Sequence, residues 1–378
     1  MQTVTAGGLD IGERHPPRIM GVLNLSAESP YEPSVFEDPG EAAAYADELI
    51  DDGADIVDVG LESANKRFDV LSADEELERL DRAIETLDSV SGDAVFSIET
   101  RYADVAEAAI DAGYELVNDI CGFADPDMPE VCEAYDVPAV KMAGPGDLTR
   151  PGALETVDEI YDALAEPPLP DQTIIDPAFG GWSEGKTVDV DRETFRRLGE
   201  FRAIQRPILV SINRKNFLRY VVDRSTEDSL PVSLGATAVA VERGADVIRT
   251  HDVSATRDAA IIGRTFTPPR CEDRELGVHE LDVRSRAELS RHLERIGAGA
   301  AVAADGCMRA FELRGLDTID RALLAHLVDR MGGALAQGRP DDTAILLATP
   351  RQLRKLHASV ADESAHLTAM LDRMTDES

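Results

Sequence analysis

The sequence predicts an α/β fold: a (β/α)8 barrel of the TIM type, followed by a small α+β domain. Three observations carry that expectation. Between about Arg18 and Arg264, short apolar runs alternate with amphipathic helical stretches eight times. Each run is nearly all apolar until a polar residue at its end, which suits strands buried on both faces of a parallel sheet. A local phrase also recurs, as Asp52-Gly53-Ala54-Asp55, Asp111-Ala112-Gly113-Tyr114-Glu115 and Arg243-Gly244-Ala245-Asp246. In each, a helix ends near a glycine able to take the left-handed C-terminal cap, and a strand follows at once.

In chain order, strands are expected at Ile19 to Asn24, Ile56 to Gly60, Val95 to Glu99, Leu116 to Ile120, Ala139 to Met142, Thr173 to Asp176, Ile208 to Asn213 and Val247 to Asp252. Between them, stretches such as Glu41 to Asp52 and Asp74 to Leu87 show helical spacing with acidic outer faces. An open doubly wound sheet is the alternative, but no GxGxxG follows the first strand. Thr267-Pro268-Pro269-Arg270 interrupts the pattern, dividing the chain into a barrel over residues 1–268 and a small α+β domain over 269–378. In the second part the expected order is a strand at Val278 to Val283, a helix at Ser285 to Ile296, and one or two strands within Ala300 to Leu313. A long helix at Thr318 to Ala336, a strand at Ala344 to Ala348, and helices at Arg351 to Ala361 and Ala365 to Met374 complete it.

Composition narrows the function classes. Among 378 residues, 38 Lys and Arg face 73 Asp and Glu, a formal charge of −35. Such a field repels nucleic acid and anionic lipid, so small-molecule partners are expected instead, with a homodimer as a possible assembly. Only five of the 38 cations are lysine, a composition resembling that of haloarchaeal cytoplasmic proteins and implying a fold that needs salt. There is no apolar run of about 18 residues, and Met1 to Asp10 has neither a basic region nor an apolar stretch. A membrane span or secretory signal is therefore not expected, and the placement is cytoplasmic. Cys121, Cys132, Cys271 and Cys307 form no CxxC pair and read as buried free thiols.

The polar residues at the strand ends carry the functional reading. They are Asn24, then Asp58, Glu62 and Ser63, Glu99, Asn118 with Asp119, Asp176, Lys215, and Arg249 with His251 and Asp252. Burying such groups is costly unless they bind each other or a ligand. Glu99, Asn118, Asp176 and Lys215 combine carboxyls, an amide and an ammonium, a set suited to a flat heterocycle rich in donors and acceptors. Asn24, Arg249 and His251 come from the first and eighth strands, neighbours in a closed barrel, and suit a phosphate or pyrophosphate. Asp58 and Asp119 read equally well as loop caps or partners of nearby arginines, and Glu62 with Ser63 as helix caps. His15, His279, His292, His326, His357 and His366 read as surface or element-face residues. Trp182, on a glycine-rich loop after Asp176, is either a stacking cover for the ring or loop packing.

Seven segments in order resemble those of the dihydropteroate synthase family over nearly the whole first 265 residues. They are Met20-Gly21-Val22-Leu23-Asn24-Leu25, Asp58-Val59-Gly60-Leu61-Glu62-Ser63, Ser97-Ile98-Glu99-Thr100, Val117-Asn118-Asp119-Ile120, Asp176-Pro177-Ala178-Phe179-Gly180, Arg214-Lys215 and Arg249-Thr250-His251-Asp252-Val253. The resemblance implies a (β/α)8 barrel that joins 6-hydroxymethyl-7,8-dihydropterin pyrophosphate to an arylamine, usually p-aminobenzoate, with release of pyrophosphate in the presence of Mg2+. It implies that Glu99, Asn118, Asp176 and Lys215 hold the pterin, and that Asn24, Ser63, Arg249 and His251 bind pyrophosphate. Asn24 would contact the metal, and Asp176, Lys215, Arg249 and His251 would carry catalysis. The chain departs from the family at Ser26-Ala27-Glu28-Ser29-Pro30-Tyr31, at Ser63-Ala64-Asn65-Lys66-Arg67, at Asn213 and Asn216 where serines are usual, and at Glu99 where Asp is usual. These changes leave open a pterin-binding paralogue with another arylamine acceptor, with a methyl-carrying pterin, or without transferase activity.

Overall fold

The structure is a computed structural model that describes residues 2–26, 32–62, 70–149, 151–180, 183, 185–273, 276, 278–299, 303, 306–337, 343–361 and 363–375. Chain contacts divide it into two compact units, Met1–Pro269 and Arg270–Ser378.

The first unit opens with a hairpin, β1 (Val4–Ala6) and β2 (Leu9–Ile11). Eight βα steps follow: β3 (Arg18–Asn24) with α1 (Pro39–Asp51), β4 (Ile56–Gly60) with α2 (Ala73–Ser89), β5 (Val95–Thr100) with α3 (Ala103–Asp111), and β6 (Leu116–Asp119) with α4 (Met128–Tyr135). The remaining four are β7 (Ala139–Met142) with α5 (Val157–Ala165), β8 (Thr173–Asp176) with α6 (Val188–Arg196), β9 (Leu209–Val210) with α7 (Asn216–Arg219) and α8 (Leu230–Glu242), and β10 (Val247–Thr250) with α9 (Val253–Phe266). The eight strands are parallel in the order β8-β7-β6-β5-β4-β3-β10-β9. A parallel bridge from Ile175 to Ile208 joins the two ends and closes the barrel. The seventh strand is shorter than the expected Ile208 to Asn213, because the Lys215 N–H turns back to the Ile212 carbonyl and takes the chain out of the ladder.

Local chemistry explains the repeating connection. Gly53, Gly113 and Gly244 adopt φ of 101°, 108° and 106°, each just beyond a helix end and just before the next strand. A side chain there would be strained, so the glycine recurs. At the lower end of the barrel, Val4 and Ile11 of the hairpin pack against Met20, Ile56, Val95 and Val247 near the strand starts. That apolar layer leaves the opposite, C-terminal strand ends for polar chemistry.

The second unit contains β11 (Glu272–Asp273), β12 (Val278–His279), α10 (Arg286–Arg295), β13 (Arg309–Leu313), α11 (Thr318–Arg330), β14 (Ala334–Gln337), β15 (Ala344–Ala348), α12 (Pro350–Val360) and α13 (Ala365–Thr375). Its sheet is antiparallel in the order β13-β15-β14 and packs Leu313 and Leu346 against Leu324, Leu353 and Leu371 of the helices. Two expectations need correction. The helix expected to reach Ala336 stops at Arg330, because Gly332 turns left-handed with φ of 70° and the chain returns as β14. The strand expected at Val278 to Val283 pairs only over Val278–His279. Two of the four thiols also differ from expectation: Cys121 and Cys132 are buried in the barrel, Cys271 is exposed and Cys307 half-buried, and all four are free. His292 is buried on α10.

Candidate functional site

Alternate residues of a strand face the same side, so β4 directs Ile56 and Asp58 inward, β5 Val95, Ser97 and Glu99, β6 Leu116 and Asn118, and β10 Val247 and Arg249. The first of each set belongs to the apolar floor. Directly above it lies a layer of polar side chains centred on Asp58, which is fully buried. Asp58 accepts hydrogen bonds from Ser97 Oγ at 2.7 Å, Asn118 Nδ2 at 3.0 Å and Arg249 Nε at 2.7 Å. The Arg249 guanidinium also reaches Glu99 through Nη2 at 2.7 Å.

Each bond has a consequence for a ligand. Because a carboxylate only accepts, Asp58 turns the Asn118 amide nitrogen toward itself and leaves the amide oxygen to receive a donor. Arg249 spends two of its edges on carboxyls, and its Nη1 has no partner among the described residues. Burial opposes the Arg249 charge, but Glu99 and Asp58 outweigh it and hold the guanidinium above its ordinary range. Burial raises Glu99, an effect that Arg249 opposes and Asp58 adds to.

Asn24, at the end of β3, donates from Nδ2 to Ser34 Oγ at 2.9 Å, which fixes its amide in turn. A side chain at Gly60 would place its Cβ 3.2 Å from Asn24 Oδ1, so glycine at this position gives the Asn24 amide room over the second strand. Asp176 closes β8 and accepts from the Ala178 N–H at 2.7 Å. Burial raises its carboxyl, while that N–H, Lys215, Lys186 and Arg249 restrain the rise. Lys215 precedes α7, and burial together with Arg249 lowers its ammonium against the pull of Asp176, Asp191 and Glu99. His251 follows β10. Burial, then Arg249, brings its imidazole down to about 3, so at neutral pH the ring is uncharged and offers a hydrogen bond rather than a charge. Behind it, Arg214 grips Asp252 at 2.8 and 2.9 Å and Asn213 binds the same carboxyl at 2.9 Å, tying the seventh loop to the eighth.

The profile described as pterin binding enzyme matches residues 20–251. The chain belongs to the dihydropteroate synthase family of pterin-binding enzymes. It is 33% identical over 258 residues to dihydropteroate synthase of Clostridium beijerinckii, covering 66% of this chain and 94% of that protein. It is also 33% identical over 247 residues to a probable bifunctional folylpolyglutamate synthase/dihydropteroate synthase of Haloferax volcanii, covering 62% of this chain but spanning only 29% of that relative. Among solved structures, dihydropteroate synthase of Coxiella burnetii in complex with pteroic acid is similar with a TM-score of 0.59 and 29% identity, over 71% of this chain and 99% of that one. Like those family members, this chain is a (β/α)8 barrel.

Of the residues singled out in the sequence, the fold brings Glu99, Asn118 and Arg249 into one bonded set, with Asp176, Lys215, Asn24 and His251 at the same strand ends. Ser63, Lys66, Arg67, Trp182 and the segment from Ala27 to Tyr31 lie outside the described residues. Asp58 proves to be the hub rather than a loop cap. Asp119 caps its own loop, accepting from the Cys121 N–H at 2.6 Å and the Phe123 N–H at 3.1 Å. Glu62 is not a helix cap: it accepts from the Leu71 N–H at 3.0 Å and from Arg101 Nη2 at 2.7 Å, while Ser72 caps α2. Three residues escaped the sequence reading, Ser34, Ser97 and Lys186. Each acts by holding another site residue, Ser34 through Asn24, Ser97 through Asp58 and Lys186 through the Ala178 carbonyl beside Asp176, and no residue-type pattern marks such a role.

Proposed function

We propose that the protein works as a dihydropteroate synthase, condensing 6-hydroxymethyl-7,8-dihydropterin pyrophosphate with p-aminobenzoate to give dihydropteroate and pyrophosphate. The observation that carries this reading is the bonded set around Asp58, in which one buried carboxyl aims both a ring-reading amide, Asn118, and an anion-reading guanidinium, Arg249. Asn118, Asp176, Glu99 and Lys215 read the pterin edge. Arg249 Nη1 and the neutral His251 ring receive pyrophosphate oxygens, with Asn24 at the same strand ends; Ser63, outside the described residues, is assigned to the same anion by family resemblance alone. The bond from the pterin methylene to the pyrophosphate oxygen breaks, and Asp176 and Glu99 stabilise positive charge developing on the carbon. The arylamine nitrogen then attacks that carbon and loses its proton afterwards, so no nucleophilic side chain is required.

Mg2+ fits these residues in a limited way. Among the described residues no group of three or more His, Cys, Asp or Glu converges as a metal site. Asn24 Oδ1, a hard neutral oxygen held by the Ser34 contact, is the side chain that would hold the ion, substrate oxygens and water supplying the rest. Held there, the ion would supply charge neutralisation for a pyrophosphate leaving group.

Purified protein in molar KCl with magnesium is expected to release pyrophosphate from the pterin substrate only when p-aminobenzoate is present, and to yield dihydropteroate. Pterin binding without release would instead favour the paralogue with another acceptor, the reading that the altered loop residues support.

The acidic surface supports a halophilic reading. At molar salt the Debye length shrinks to about 3 Å and surface repulsion is screened, so the thermal midpoint should rise between about 0.1 and about 3 M KCl. A flat or falling midpoint would refute it. No helix of the described residues is long and apolar enough to cross a membrane. The buried free thiols Cys121 and Cys132 suit a reducing cytoplasm. On this acidic chain, Ile261, Ile262 and Phe266 of α9 are nonetheless exposed, and an apolar groove of about 410 Å3 is lined by Val221, Val222 and, on α8, Val239. A second copy is the occupant that fits such a surface. Ile262→Glu is expected to convert a dimer to a monomer on size exclusion in molar KCl; an unchanged elution volume would place any dimer contact elsewhere.

A further inference from the structure

Lys186 lies in the loop between β8 and α6 and is 3% exposed. Its ammonium donates to the Ala178 carbonyl and lies 4.0 Å from Asp191 Oδ1 on α6. Asp191 in turn accepts from the Gly180 N–H at 3.1 Å. The chain just after Asp176 is thus held at two points. The first of these anchors is the carbonyl of Ala178, whose φ of 59° is a left-handed conformation that a residue with a Cβ adopts only under constraint. The Ala178 N–H is the group that binds Asp176 Oδ1.

A buried ammonium is expensive unless it is paired. Here the nearest carboxyl is at the edge of ion-pair range, and the direct contact is a neutral carbonyl. The outlay maintains one feature, the turn at Ala178. We infer that Lys186 is a positioning residue for the pterin-reading carboxyl: by holding the Ala178 carbonyl it locks the left-handed turn whose N–H fixes one Asp176 oxygen and leaves the other for the ring. The inference rests on the proposal that Asp176 reads the pterin. Burial brings the Lys186 ammonium down to about 8, with Asp191 and Asp176 opposing the fall, so at neutral pH it is charged and contributes field as well as geometry.

The test is titration calorimetry in molar KCl with 6-hydroxymethyl-7,8-dihydropterin, which lacks the pyrophosphate and so reports on the ring half alone. Lys186→Met should weaken binding about tenfold, or ~1.4 kcal/mol. Ala178→Gly in the same chain should recover most of that loss, since glycine takes the left-handed turn unaided. A second readout separates charge from shape. The charged groups facing Asp176 are Lys215, Lys186 and Arg249. Without Lys186 the pH at which binding fails on acidification should move up, and Ala178→Gly should not restore it. If Lys186→Met does not fold, Ala178→Val reads the same contact from the other side, because a β-branched residue resists the turn, and it must weaken binding likewise. Folded Lys186→Met that binds as tightly as wild type, or a loss that Ala178→Gly leaves untouched, overturns the inference alone. Wild-type protein that binds no pterin overturns the functional reading, and this inference with it.

Discussion

Lys215→Ala is expected to lower kcat/KM for the pterin pyrophosphate at least ~100-fold, and Asp176→Asn to do the same, each a loss of about 2.7 kcal/mol in transition-state stabilisation. The two groups are opposed charges at neighbouring strand ends, and each moderates what burial does to the other: Asp176 raises the Lys215 ammonium and Lys215 lowers the Asp176 carboxyl. Removing the ammonium therefore costs a ring contact and also makes Asp176 easier to protonate. A protonated Asp176 offers the pterin a donor where an acceptor is needed. Asp176→Asn removes the charge that stabilises the developing cation while nearly conserving shape, so its loss should fall mainly on kcat. Pyrophosphate release measured against both substrates, with thermal unfolding as a control for folding, decides the matter. Wild-type kinetics in both variants would overturn the site assignment.

The barrel was legible because its signal is repeated. Alternation of apolar runs with helical stretches, and a glycine cap at three helix ends, point the same way many times. Gly53, Gly113 and Gly244 each reach the left-handed region, as the shared phrase implies. The second unit gave only single instances. Thr318 to Ala336 reads as one helix because its apolar spacing continues through Gly332 and Gly333, and the turn there is set by packing: a Cβ at Gly333 would stand 3.1 Å from Val328 and 3.2 Å from the Leu347 carbonyl.

Within the site, residue types at strand ends could be read from the chain, but their pairing could not. Asp58 and Arg249 are 191 residues apart, and nothing local shows that a carboxyl on β4 faces a guanidinium on β10. Barrel closure produces that juxtaposition. It also shows that Arg249, expected to serve only the anion, is bonded to the ring-reading side through Glu99. Glu99 is the residue that makes this second contact. Lys186 was hidden for a different reason, since a lysine in a glycine-rich stretch reads as solvated, whereas the fold buries it against the Ala178 carbonyl.

Arg249→Met is expected to destabilise the barrel by about 3–5 kcal/mol, measured by thermal unfolding in molar KCl, because it strands the buried Asp58 and the half-buried Glu99 without their cation. Asp58 is fully buried and the Glu99 side chain 13% exposed, and both oxygens that Arg249 binds lie at 2.7 Å. The sign of the pH dependence follows from Glu99. Burial already raises its folded-state carboxyl above the ordinary range, and Arg249 is the main group opposing that rise. Without Arg249 the folded-state value climbs further above the unfolded one, so stability present below the unfolded pKa is lost as pH rises through the folded pKa. The deficit of Arg249→Met against wild type should therefore be small near about pH 5 and grow toward about pH 8. Adding Asp58→Asn and Glu99→Gln removes both stranded charges and should return much of the stability. Pyrophosphate release should stay lost, since the guanidinium edge that receives the leaving group is gone. A pH-independent deficit would show that Arg249 matters for packing rather than charge, and wild-type stability at pH 8 would show that Asp58 and Glu99 do not need it.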